Sequence, residues 1–152
     1  MNALSTPLRS ALLVSAVALS ACAQMSAMMP GMSANVPLKA QLDAKQEVPP
    51  NGSAGTGSME GKLNKDTNLL TWSVTYSGLS GPATAGHFHG PASMGQNAGV
   101  VVPFASAASP IEGQATLTST QIDDLMAGKW YANVHTAANP GGEIRGQVSV
   151  GR

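Results

Sequence analysis

A single cysteine among 152 residues has no second thiol to pair with, so no disulfide within the chain can brace the fold. Charge is almost as scarce. Asp, Glu, Lys and Arg together make up 11% of the chain, eight of each sign, for a net charge of zero. No basic cluster runs along the sequence as a phosphate-binding surface would need, which sets nucleic acid aside as a partner. Aromatic residues are 4%, and the longest apolar run is too short to span a bilayer. Catalytic signatures are missing as well. No Ser/His/Asp arrangement stands out, no Gly-rich loop leads into a helix with a phosphate-binding Lys, and the carboxylates read as capping or strand-edge positions. These absences lean away from an enzyme without deciding the matter. The length gives room for one domain with extensions, and the abundance of Gly, Ala, Ser and Thr suits a sheet protein with tight turns.

The first extension is a targeting segment over residues 1–21. Arg9 precedes the apolar run ALLVSAVALSA, residues 11–21, whose length fits a secretory signal. Leu19-Ser20-Ala21-Cys22 closes that run and resembles a bacterial lipobox, which makes Cys22 the expected site of lipidation and the start of the mature protein. Ala23 in place of Asp after that cysteine resembles the outer-membrane form of the sorting signal. The expected location is therefore the bacterial cell envelope, with the chain held to the membrane by its N-terminal lipid and facing the periplasm or the exterior. Residues 22–35 read as a flexible tether in which Met25, Met28, Met29 and Met32 stand among small uncharged residues. Thioether sulfur suits Cu(I), yet no His or Cys is interleaved to sharpen that motif, so the linker reading is preferred.

From Val36 to the end, residues 36–152, hydrophobicity alternates with a period of two. The pattern is clearest in Leu70-Thr71-Trp72-Ser73-Val74-Thr75-Tyr76, where large apolar side chains alternate with hydroxyls, the mark of a half-buried strand. Similar segments at about 36–43, 57–64, 85–90, 98–104, 112–119, 129–136 and 143–150 join 68–77 to make eight. Short strands so evenly spaced predict an all-β, antiparallel, Greek-key-like sandwich or barrel. One helix interrupts them, read as residues 121–127 with Thr120 as N-cap, Asp123 and Asp124 near the dipole, and Gly128 as the stop. Glycine recurs beside glutamate in Met59-Glu60-Gly61, Ile111-Glu112-Gly113 and Glu143-Ile144-Arg145-Gly146, which points to close packing against those strands. Asn139-Pro140-Gly141-Gly142 supplies a turn and predicts a hairpin between the last two strands.

Gln46-Glu47-Val48-Pro49-Pro50, Ala85-Gly86-His87-Phe88-His89-Gly90-Pro91, Asn97-Ala98-Gly99-Val100-Val101, and Gly128-Lys129-Trp130-Tyr131-Ala132-Asn133-Val134-His135-Thr136 leading to Pro140-Gly141-Gly142-Glu143-Ile144-Arg145-Gly146-Gln147 together resemble the CHRD domain, named from chordin. The blocks follow the family's order from about Leu38 to Val150. The resemblance implies an exported β-domain and leaves function to be argued from the site.

All three histidines lie in those blocks. On an extended strand His87 and His89 project to one side with Cα atoms about 6 to 7 Å apart, close enough for both imidazoles to reach one ion. His135 shares a face with Tyr131 and Asn133 and joins the pair only if its strand is a neighbour. The expected site is one transition-metal ion, copper before zinc, on His87, His89 and His135. Met94 is a candidate soft fourth partner, and Asn133 or Glu143 a candidate to orient a ring. Binding should weaken as pH falls through the imidazole range near ~6.5. Two alternatives stand beside this. A His-x-His strand in an exported β-domain is similar to the copper, zinc superoxide dismutases, although three histidines and one cysteine fall short of that family's ligands and disulfide. The other is a structural or protein-interaction domain of the envelope without metal, its protein partner not specified by the sequence.

Overall fold

The computed structural model describes residues 34–151. The signal segment, Cys22 and all but the last residues of the tether lie outside them. Nine strands form, in chain order, β1 (Asn35–Asp43), β2 (Thr56–Asn64), β3 (Leu69–Ser77), β4 (Ala83–His89), β5 (Val100–Pro103), β6 (Ile111–Thr116), β7 (Tyr131–Thr136), β8 (Ile144–Gln147) and β9 (Ser149–Val150), with one α-helix, α1 (Ser119–Met126), between β6 and β7. Eight of them make one sheet in the order β5-β4-β7-β8-β1-β2-β3-β6, and the two-residue β9 pairs with β1. Every pairing is antiparallel. Trp72 of β3 meets Phe88 of β4 edge to face, ring centroids 5.2 Å apart, although four strands separate β3 from β4 in the sheet. The sheet therefore rolls into a nearly closed barrel around one core. Among the described residues no helix is long and apolar enough to cross a membrane.

Alternation decides which side chains fill the core. Leu70, Trp72 and Val74 point inward from β3 and are buried, Tyr76 continues the row half-buried, and the hydroxyls between them face out. Trp130, Ala132 and Val134 do the same at β7. The strand glycines serve this packing. Gly61 and Gly113 flank Trp72 on its two neighbouring strands, and a Cβ on Gly113 would run into the indole. A Cβ on Gly146 would strike the backbone carbonyl of Gln41, so β8 and β1 come this close only because position 146 has no side chain. β7 and β8 form the hairpin expected on either side of the Asn139–Gly142 turn, Tyr131 opposite Gln147 through Val134 opposite Ile144, with Gly142 at φ +134° in the turn.

The helix corrects the sequence reading by two residues. Its N-cap is Thr118, which accepts from the Gln121 amide while the Gln121 side chain accepts from the Thr118 amide, a reciprocal capping box. Asp123 and Asp124 thus fall beyond the first turn and cap nothing; Asp124 instead sits 3.4 Å from Lys129 Nζ at the surface. Gly128 at φ +71° ends the helix as expected.

Replacing Trp72 by Ala should cost about 3 to 5 kcal/mol, since the indole contacts both Phe88 and Phe104 and glycine neighbours cannot refill the space. Urea denaturation measures this, and a loss under about 1 kcal/mol would contradict the core assignment.

Candidate metal centre

The site lies on the outer face of β4, β7 and β8. Register aligns His87 with Asn133 and Arg145 in one row, and His89 with Tyr131 and Gln147 in the next. Period-two alternation sends all six side chains away from the core, while Phe88, Ala132 and Gly146 face inward. An outward face would ordinarily be wet, yet Tyr131, Asn133 and Arg145 are at most 3% exposed. The reason is the loop over residues 90–99, which folds back across them. Arg145 holds it by donating to Gln96 O at 2.6 Å and Asn97 Oδ1 at 3.0 Å. Gln147 donates to Ala92 O, and the Tyr131 hydroxyl accepts from the Ala98 amide. The guanidinium of Arg145 lies 3.4 Å above the Tyr131 ring, and that ring stacks on His89 at 4.8 Å with planes 2° apart.

β4 and β7 are neighbours, with Ala85 opposite His135 and His87 opposite Asn133, and this brings the third histidine to the pair. One ring nitrogen from each of His87, His89 and His135 lies within 4.8 Å of the others. Nδ1 of His89 donates to Ala98 O at 3.0 Å and Nδ1 of His135 donates to Pro140 O at 2.9 Å. The Nε2 atoms of these two rings converge on Asn133 Oδ1, at 3.1 and 3.0 Å, and His87 Nδ1 is 3.0 Å from His135 Nε2. Burial lowers the pKa of His87, and the nearby His135 and His89 rings lower it further, against a hydrogen bond that the ring donates to Asn133. His135 is lowered by burial and by His89, with the Pro140 carbonyl opposing. Near neutral pH these two rings keep the neutral form that a metal requires.

The donor set fits an ion. Metal to imidazole nitrogen distances of about 2.0–2.1 Å put two ligand nitrogens of a tetrahedral site about 3.4 Å apart, so rings spanning 4.8 Å need to close by about 1.4 Å. Three such ligands could hold a metal ion. Of the other residues picked out from sequence, Asn133 reaches the imidazoles directly and Met94 stands 73% exposed on the covering loop. Glu143 does not orient a ring. Its two oxygens are taken by the hydroxyls of Ser53, Ser80 and Thr136 and by the Ser80 amide, at the end of the barrel. Burial acts to raise its pKa, but those hydrogen bonds outweigh it and hold the value down to about 2.

Sequence reasoning passed over Arg145, Tyr131 and Glu47. Glu47 is buried, and burial raises its carboxyl to about 7 against the opposing pull of Arg145 and the Val48 amide. The only signal was that all three stand within the blocks that carry the family resemblance.

Set against known proteins, residues 38–148 match the family model of the CHRD domain. No curated protein and no solved structure matches the chain.

Proposed function

The chain belongs to the CHRD domain family, and from that footing we propose that it is an exported module, anchored by a lipid on Cys22, that holds one transition-metal ion through His87, His89 and His135. One observation carries the metal reading: backbone carbonyls of Ala98 and Pro140 engage the Nδ1 atoms of His89 and His135, which leaves both Nε2 lone pairs aimed at a common point. Ligating histidines are held in this way by an outer partner on the far ring nitrogen. Imidazole suits Cu(II) and Zn(II), three ligands leave a position open, and copper stands before zinc because Met94 on the covering loop offers a soft donor for Cu(I). The lipobox-like Leu19-Ser20-Ala21-Cys22 supports the lipid anchor and Ala23 after it the outer membrane as the location, and Cys22→Ser should release the protein from membranes. The hydrogen bonds that already join the rings to one another and to Asn133 favour a second reading, a purely structural cluster without metal.

Calorimetric titration with Cu(II) and with Zn(II) separates the two. Wild type should bind one equivalent, and His87→Ala, His89→Ala and His135→Ala should each weaken binding about a hundredfold, or about 2.7 kcal/mol. Protons compete for the same lone pairs, and because His87 and His135 are lowered from 6.5, affinity should hold down to about pH 6.5 and fall below it. Unchanged binding in all three variants would leave the structural reading.

A further inference from the structure

A carbonyl oxygen has no hydrogen to give. Nδ1 of His89 against Ala98 O, and Nδ1 of His135 against Pro140 O, therefore carry the hydrogens of their neutral rings. Each Nε2 is left with a bare lone pair, and both stand about a hydrogen bond's length from Asn133 Oδ1, 3.1 and 3.0 Å away. An amide oxygen there would set lone pairs against lone pairs with no hydrogen between them. An amide nitrogen has two hydrogens, one for each ring. The two ends of an amide have the same shape, so the hydrogen-bond partners decide which end is which, and here they select the turned-over amide, with nitrogen in place of Oδ1 toward the rings.

Asn133 is 3% exposed and sits in β7 opposite His87, so the side chain cannot swing out to solvent. The motion left to it is rotation about its last bond, which exchanges nitrogen for oxygen at the same point in space. With nitrogen inward the donor set is closed, because hydrogens occupy the lone pairs an ion needs. With oxygen inward the amide presents a fourth donor atom beside the three imidazoles. His87 completes the closed state. Its Nδ1, 3.0 Å from His135 Nε2, points a hydrogen at the single lone pair that one Asn133 hydrogen also approaches, a shared and weaker contact, and that hydrogen passes to the far ring nitrogen of His87 when Nδ1 is needed for a metal.

We infer that Asn133 is the gate of the metal site: its NH2 end closes the metal-free donor set, and an ion is admitted when the amide turns over. The inference rests on the metal-binding reading and adds to it the residue that governs uptake.

The test has one arm without metal and one with it. Long-range proton–nitrogen correlation spectra of the metal-free wild type should show His89 and His135 in the Nδ1–H form, and Asn133 NH2 hydrogens shifted and slow to exchange. Stopped-flow uptake of Zn2+ should be about tenfold faster or more in Asn133→Ala and in the near-isosteric Asn133→Asp, neither of which has an NH2 to displace. Nε2–H forms at either ring, or wild-type uptake rates in every variant that folds, overturn the gate while Zn2+ binding by wild type upholds the metal site. The expected tautomers in a wild type that takes up no Zn2+ overturn the metal site, and the gate with it.

Discussion

Glu143→Ala is expected to cost about 3 to 5 kcal/mol of folding stability, a large share for a domain of this size. The carboxylate is wholly buried and accepts from Ser80 N at 2.7 Å, Ser80 Oγ at 2.6 Å and the hydroxyls of Ser53 and Thr136. Those donors come from the segment before β2, the segment before β4 and the end of β7, so one side chain ties three parts of the chain to the start of β8. Removing it leaves three hydroxyls and an amide without their acceptor, and each buried orphan costs about 1 to 3 kcal/mol unless water reaches it. Glu143→Gln keeps the shape but turns an NH2 toward donors, and should recover only part of the loss. The pH dependence identifies the mechanism. The folded pKa of about 2 lies below the ordinary 4.5, so the unfolded chain binds the proton first as acid is added. The contribution of Glu143 is complete above about pH 4.5 and fades as pH falls toward 2. His87 and His135, lowered from 6.5, add stability that is complete above 6.5 and declines below it. Glu47 has the opposite sign. Raised to about 7, it favours the fold below pH 4.5 and loses that contribution as pH rises through 7. Urea midpoints of wild type and Glu143→Ala should therefore differ most above pH 4.5 and draw together toward pH 2.5. A difference under about 1 kcal/mol, or one that does not change with pH, would refute this role.

What could be read in advance divides along the line between strands and loops. In β3 the face of each residue follows from its parity, so Leu70, Trp72 and Val74 were legible as core. The same parity placed His87 and His89 on one side, and placed His135 with Asn133 and Tyr131. Parity in β8 also puts Arg145 on the outer face, a position the sequence reading did not weigh, but outer does not mean wet. Whether a loop covers that face depends on Gln96, Asn97 and Ala98, which have no period to read. Glu143 was misread for a related reason. Its partners Ser53 and Ser80 are 90 and 63 residues away, and one serine hydroxyl in a turn looks like any other. The helix start was read at Thr120, whereas the three-residue spacing from Thr118 to Gln121 that a capping box requires favours Thr118.

Arg145 joins the fold to the site, so its loss should be felt in both. The side chain is 1% exposed, lies over Tyr131, grips the 90–99 loop at Gln96 and Asn97, and offsets the charge of buried Glu47. Arg145→Leu leaves Glu47 without that offset and Gln96 O without its donor, at an expected cost of about 3 to 5 kcal/mol. It also frees the loop whose Ala98 carbonyl fixes the His89 ring, and outer partners of this kind are worth about 10- to 100-fold in metal affinity. Arg145→Lys guards against a variant that simply fails to fold. It keeps the charge near Glu47 but gives up the planar fork that reaches both Gln96 and Asn97 and the flat stacking on Tyr131. It should stay folded while binding Zn2+ about tenfold more weakly. The three histidine variants should show the reverse balance, with metal affinity lost and stability nearly kept. Urea denaturation beside calorimetric Zn2+ titration reads both quantities on the same samples. Wild-type affinity in folded Arg145→Lys would show that the loop does not hold His89 for the metal.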